Sequence, residues 1–233
     1  MQHGSTSVII PVRNGERLVG EAIASALAQL GAGDEIVVVD DGSTDRTRAA
    51  VEAAADRRVR LVPSGGRGVS AARNVGIAVA CGEFIAFLDH DDTWPELRHA
   101  TMSGVLRDRP GIDAVFGRMR VKFEQGAQLN DRMAAMDGKH VGVASVGTGL
   151  FRKAIVDRVS GFDEELHFGE DVDFYLRLME NGMQVELCEI DGLLYRRHAS
   201  NCSNDLHAME RGMSDVLMRR IRRMRQRGAA GKA

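Results

Sequence analysis

The chain has 233 residues, of which 44% are hydrophobic and 27% charged, with 31 basic side chains against 33 acidic ones. That apolar fraction excludes a disordered chain, and a net charge of −2 excludes a general polyanion binder, so no nucleic-acid partner is expected. The longest apolar runs (8–10, 36–39 and 84–88) fall far short of the roughly 20 residues needed to span a bilayer.

Residues 7–12 form a continuous apolar run that predicts a strand. Leu18, Ala22, Ile23, Ala26, Leu27 and Leu30 then recur at helical spacing over 18–30. Residues 36–40 read as a second buried strand. Ser43, Thr44 and Asp45 are N-capping residue types that open an alanine-rich helix over 46–55. Strands over 59–63 and 84–88 enclose a helix over 69–79. Strands that are apolar throughout, rather than alternating, are those covered on both faces by crossover helices. The pattern predicts an α/β fold with a Rossmann-like, doubly wound sheet.

After Asp92 the rhythm changes. Pro95 suits a first helical turn, so a helix is expected over 95–108 and a strand over 114–123. The polar stretch 124–143, with methionines and glycines but no period, reads as a mobile loop that could close over a ligand. Helices are expected over 153–159 and 171–181, and strands over 184–188 and 193–197. Leu206, Met209, Met213, Leu217, Ile221 and Met224 mark an amphipathic helix over 206–227. With no internal repeat or linker-like stretch, a single domain is expected, with a binding half at 6–92 and an acceptor half at 93–204. A basic helix and tail follow at 205–233. Cys81, Cys188 and Cys202 are odd in number and widely spaced, and the first residues lack a secretory pattern. A disulfide framework and a zinc site are therefore not expected, and a cytoplasmic location is.

Ligands of open α/β sheets sit outside the carboxyl ends of the strands. Strand one ends in Pro11, Val12, Arg13, Asn14, Gly15 and Glu16, strand two in Asp40 and Asp41, and strand four in Asp89, His90, Asp91 and Asp92. Carboxylates crowded on one rim repel each other unless a positive charge completes them. Mg²⁺ or Mn²⁺, shared between one or two carboxylates and substrate phosphates, does this. Asp89 and Asp91 lie two apart in extended chain and so face the same side. An isolated pair of this kind is most often a solvated loop; three acidic strand ends in one sheet favour a metal–phosphate site. No GxGxxG follows the first strand and no GxxxxGK[ST] occurs, which argues against dinucleotide and P-loop sites. Two rivals remain. Asp89-His90-Asp91-Asp92-Thr93 fits the DxDxT of haloacid-dehalogenase-type phosphatases, although three βα units precede it, and a non-catalytic nucleotide-binding module would share the same rim.

The segments VIIPVRNGE (8–16), VVVDDGSTD (37–45), GVSAARN (68–74) and FLDHDD (87–92) resemble successive signatures of family 2 glycosyltransferases of the GT-A fold. GTGLFR (147–152), GFDE (161–164), GEDVDF (169–174) and YRRH (195–198) continue the resemblance in the same order, to about residue 204. It implies an inverting transfer from a nucleoside-diphosphate sugar, with uridine the expected base, to a hydroxyl on a glycan, a lipid-linked acceptor or a small molecule. Asp41 would bind the base while Asp40 braces the turn. Arg73 would reach the base or diphosphate, and Asp89 the ribose or metal shell. Asp91 would ligate Mn²⁺ or Mg²⁺, helped by His198. Asp171 would be the catalytic base, with Glu170 orienting it or the acceptor. Pro11, Arg13, Asn14, Glu16 and His90 would line the donor pocket, Arg13 standing where the family often has a stacking aromatic. The arginine-rich end of the last helix (219–227) reads as a peripheral contact at the inner face of a membrane, a solvated helix or a homodimer contact.

Overall fold

The strands that read as apolar throughout are buried on both sides. In β1 (Thr6–Val12), Val8, Ile10 and Val12 point into one core and Ile9 into the other. Successive side chains of a strand face opposite ways, so a sheet with helices on both faces needs every position apolar. The first core is closed by α1 (Val19–Leu27), by α2 (Thr47–Glu52) and by α4 (Arg98–Asp108). The second is closed by α3 (Val69–Val79), α5 (Lys153–Arg158) and α6 (Glu170–Glu180). The computed structural model describes residues 4–124, 137–141, 145–198, 201 and 205–230.

The strand order is β3 (Val59–Pro63), β2 (Glu35–Asp40), β1, β4 (Phe84–Phe87), β7 (Gly149–Arg152), β5 (Ala114–Phe123) and β6 (His140–Val141), with β8 (Val185–Arg197) also paired to β5. β2, β3 and β4 run parallel to β1 in the doubly wound half. β7 is antiparallel to both β4 and β5, which makes the sheet mixed. The bounds of β3, α3 and β5 are those expected from the sequence.

Three elements differ from expectation. The helix placed at 95–108 begins at Arg98, because Leu97 adopts a left-handed conformation (φ 63°) that a helix cannot run through. The two strands expected at 184–188 and 193–197 are one strand, β8 (Val185–Arg197), whose register against β5 slips around Arg118. The slip rests on two glycines. A Cβ on Gly117 would lie 2.7 Å from the Cα of Gly192, so the two backbones touch where any side chain would part them. The expected loop at 124–143 lies largely outside the described residues; within it, β6 (His140–Val141) pairs with β5.

The last helix, α7 (Leu206–Ala230), packs on α6 with Ala208 and Val216 buried. Part of its basic run pairs with acids of the fold, while Arg222 and Arg225 stand exposed. Arg219 pairs with Asp163 and Glu165, Arg223 with Asp173 and Glu180, and Arg220 with Glu180. Its outer side exposes Met209, Met213, Leu217, Met218 and Met224. Among the described residues no helix is long and apolar enough to cross a membrane.

Candidate active site

The carboxyl ends of β1, β2 and β3 lie level, Val12 beside Asp40 and Asp40 beside Pro63. The loops leaving β1 and β2 are stitched together above them. Asn14 donates its N–H to Ser43 Oγ (2.9 Å) and accepts that of Thr44 (2.8 Å), and Glu16 accepts that of Arg46 (2.9 Å). Asp40 accepts the N–H of Ser43 (2.9 Å), bracing the turn as expected. Asn14 and Glu16 therefore tie the two loops together through their side chains. Pro11 is buried within β1, and Arg13 stands exposed at the lip. His90 lies over Gly15, where a Cβ would come within 2.5 Å of its ring. Only glycine lets the β4 loop close down on the β1 loop there.

Asp41 faces downward from the rim. Its side chain is buried, one oxygen accepting Ser64 Oγ–H (2.6 Å) and the Arg67 N–H (2.9 Å), the other the Gly68 N–H (2.8 Å). This carboxylate, expected at the nucleotide base, holds the 64–68 loop that leads into α3.

The centre of the site is Arg73, on α3. Its side chain is 4% exposed and its guanidinium joins Asp89 (2.9 Å) to Glu170 (2.8 Å). Expected to reach a base or a diphosphate, it pairs here with the end of β4 and the start of α6. Burial opposes its charge, but Asp89, Glu170 and Asp171 outweigh that and hold it firmly protonated. The next residue, Asn74, fixes the other half of the chain. It donates to Phe162 O (2.9 Å) and Glu164 (3.0 Å) and accepts the Phe162 N–H (2.7 Å). Asp171 sits beside this cluster, partly open to solvent, and accepts the N–H of Val172 (2.8 Å). Burial and then the charge of Glu170 raise its pKa to about 6, against the pull of Arg73.

Beyond Asp89 the chain turns. Asp91 Oδ2 meets His198 Nε2 at 3.0 Å, two donors of suitable type for a divalent ion. Asp92 is buried and accepts the Arg196 N–H (2.8 Å); burial, then Asp91 and Asp89, push its carboxyl well above the usual range. Arg196 also bonds the Asp91 carbonyl and Glu21. Among the described residues no three His, Cys, Asp or Glu side chains converge as a metal site. The rim thus brings Asp89, Arg73, Glu170 and Asp171 into one cluster, with the Asp91–His198 pair adjoining along the chain and Asp41 below the neighbouring loop.

Two participants were not legible in the sequence. Asn201 accepts the His198 N–H (2.5 Å) and reaches Asp91 Oδ2 (3.4 Å), closing the turn that carries the histidine. Its one sequence signal is a short amide three residues after His198. Arg98 is fully buried and lies against the Trp94 ring (4.1 Å), donating to the carbonyls of Gly192 (2.6 Å) and Gly149 (2.7 Å). Burial lowers its pKa to about 9. It fixes the acceptor-side strands to α4, and nothing local in the sequence marks it for burial.

The family model for glycosyl transferase family 2 matches residues 7–159, and the chain belongs to that family. The uncharacterized glycosyltransferase EpsJ of Bacillus subtilis is 29% identical over 219 residues, 84% of this chain and 62% of its own. The succinoglycan biosynthesis protein ExoU of Rhizobium meliloti is 32% identical over 205 residues, 77% and 58% of the two chains. The Escherichia coli UDP-Glc:alpha-D-GlcNAc-diphosphoundecaprenol beta-1,3-glucosyltransferase WfgD is 42% identical over 89 residues, 38% of this chain and 35% of that protein. The chain thus spans less than two thirds of the length of these relatives. Among solved structures, S. aureus TarS 1–349 in complex with UDP-GlcNAc superposes with a TM-score of 0.73 at 21% identity, over 91% of this chain and 65% of that one. The fold is that of the GT-A glycosyltransferases. Membership of this family, with Asp89 following the fourth strand of the sheet, sets aside the haloacid-dehalogenase reading.

Proposed function

We propose that the chain transfers a sugar from a nucleoside-diphosphate sugar, a UDP-sugar in the first instance, to an acceptor hydroxyl with inversion at the anomeric carbon. The observation that carries this reading is the buried Arg73, which ties Asp89 at the end of β4 to Glu170 at the start of α6, next to the partly open Asp171. A general base works best with a pKa near the working pH, and a positioned one contributes about 10²–10⁴-fold. Asp171, with a pKa of about 6, is ionised at pH 7 and still basic enough to accept a proton. It would take the proton of the acceptor hydroxyl as that oxygen attacks the anomeric carbon from the face opposite the diphosphate. The bond to the diphosphate breaks as the new one forms, and holding both substrates in line lowers the entropic part of the barrier.

Asp91 and His198 would hold Mn²⁺ or Mg²⁺, whose chemistry when bound is to relieve charge on the departing diphosphate. Their 3.0 Å pairing supports this, since such an ion takes one or two protein ligands and fills the rest from phosphates. The UDP-Glc in the name of the E. coli relative favours uridine as the base. The name of the E. coli relative specifies a lipid-linked sugar as acceptor. An acceptor of that class would bring this chain to a membrane surface as a peripheral protein.

A panel of nucleotide sugars with Mn²⁺, followed by nucleoside-diphosphate release and the anomeric configuration of the product, tests the reading. Asp171→Asn should keep its thermal stabilisation by UDP and lose turnover. Wild-type turnover in that variant, or retention of configuration, would refute the assignment. Binding of UDP with no transfer to any acceptor would leave a nucleotide-binding module.

A further inference from the structure

Glu170 and Asp171 are consecutive carboxylates at the start of one helix, yet their surroundings differ. Glu170 Oε1 is 2.8 Å from Arg73 Nη1, and both side chains are largely buried, at 14% and 4% exposure. An ion pair so little exposed to water is weakly screened. Asp171 is bonded instead to the N–H of Val172, and Arg73 reaches it only through its field. The guanidinium is also held in place from below. It lies 5.2 Å from the ring centre of Phe162, which stacks at 4.2 Å on Phe174 of α6. Its Nε is buried without a hydrogen-bond partner among the described residues, so the position of Arg73 is kept at a cost.

We propose that Arg73 is a positioning residue of the transfer: it clamps Glu170 and Asp89 through direct ion pairs and leaves Asp171, bonded to the Val172 N–H, to take the proton of the acceptor. The same guanidinium, through Asp89, fixes that base relative to the donor side of the cleft. The proposal rests on the transfer reaction stated above.

The charged groups facing Asp171 are Glu170 on its own helix, Arg73 on α3 and Asp89 after β4. Two of these are anions and one is a cation, so the sign of each deletion is fixed. Loss of Arg73 must raise the midpoint of Asp171, and loss of the Glu170 charge must lower it.

The experiment compares the full chain with Arg73→Met, Arg73→Lys, Glu170→Gln and the Met/Gln double variant. Asp171 is followed by carboxyl ¹³C NMR titration, alongside the pH profile of sugar transfer. Arg73→Met should move the midpoint up by roughly one to three units, and turnover below the midpoint should fall about tenfold per unit. Arg73→Lys should restore part of the shift, Glu170→Gln should move the midpoint down, and the double variant should return toward wild type. An unmoved Asp171 midpoint in Arg73→Met, with turnover reduced equally at every pH, would overturn the proposal by showing Arg73 to be structural. Should Arg73→Met fail to fold, Glu170→Gln decides alone, an unmoved midpoint being the refuting result. Midpoints that shift as stated in a chain that transfers no sugar would overturn the reaction while keeping the charge arrangement.

Discussion

Replacing Asp41 by asparagine removes one acceptor oxygen from a carboxylate that accepts three hydrogen bonds, from Ser64, Arg67 and Gly68. Whichever way the amide turns, its NH₂ faces at least one donor, and the surrounding site is buried. A buried donor left without a partner costs about 1–3 kcal/mol, and bonds to a charged acceptor are at the upper end of that scale. Taking about 2 kcal/mol, the melting temperature of a chain this size should fall by roughly 4–8 °C. Because Gly68 leads directly into α3, the loosened loop should also disturb Arg73 and lower UDP affinity. The assay is a thermal melt of the free protein beside a UDP titration. If Asp41→Asn melts like wild type and loses only UDP affinity, the carboxylate serves the base directly and does not hold the 64–68 loop.

The raised pKa of Asp171 predicts that kcat/KM climbs with pH to half its plateau at about pH 6, since the base works only when deprotonated; a profile flat between pH 5 and 8 would exclude it. The same shift has a consequence for stability: a carboxyl whose folded pKa lies above its unfolded value of 3.8 contributes stability at low pH that is lost as pH rises through about 6. Asp171→Asn should therefore flatten that part of the melting profile. Asp91→Ala should abolish any EDTA-sensitive part of UDP stabilisation while leaving the melt of the free protein nearly unchanged; an EDTA response preserved in this variant would place the ion elsewhere. Arg98→Met leaves the carbonyls of Gly192 and Gly149 without their donor and should cost about 3–5 kcal/mol, read as a melting temperature lowered by roughly 6 °C or more. Arg223→Ala uncovers Asp173, which is wholly buried but keeps Arg177, so a smaller loss of about 2 kcal/mol is expected by chemical denaturation.

The doubly wound half was legible because its signals are local. Apolar runs, helical spacing and turn residues each lie within a dozen residues, and β3 and α3 begin and end where the pattern puts them. β8 runs through the gap left between 184–188 and 193–197 because Gly192 serves a close approach to Gly117, 75 residues earlier in the chain, which no local pattern announces. Pro95 gave a plausible helix start, and only the left-handed Leu97 defers the helix to Arg98.

The site followed the same division between local and distant. Strand ends marked which acids share a rim, since that depends on strand order, but not which of them are already satisfied. Arg73 reads as a ligand-binding cation in its own segment, and its partner Glu170 lies 97 positions away. The arginines of α7 read as a surface stripe until Asp163, Asp173 and Glu180 are brought beneath them. In each case the charge that fixes a residue's role lies 43 to 97 positions away. The clustered carboxylates need not wait for a metal to be tolerated: Arg73 already supports Asp89 and Glu170, and Arg196 donates its N–H to Asp92. What an ion has left to complete is the Asp91–His198 corner alone, so removing metal should weaken diphosphate binding there without unfolding the rim.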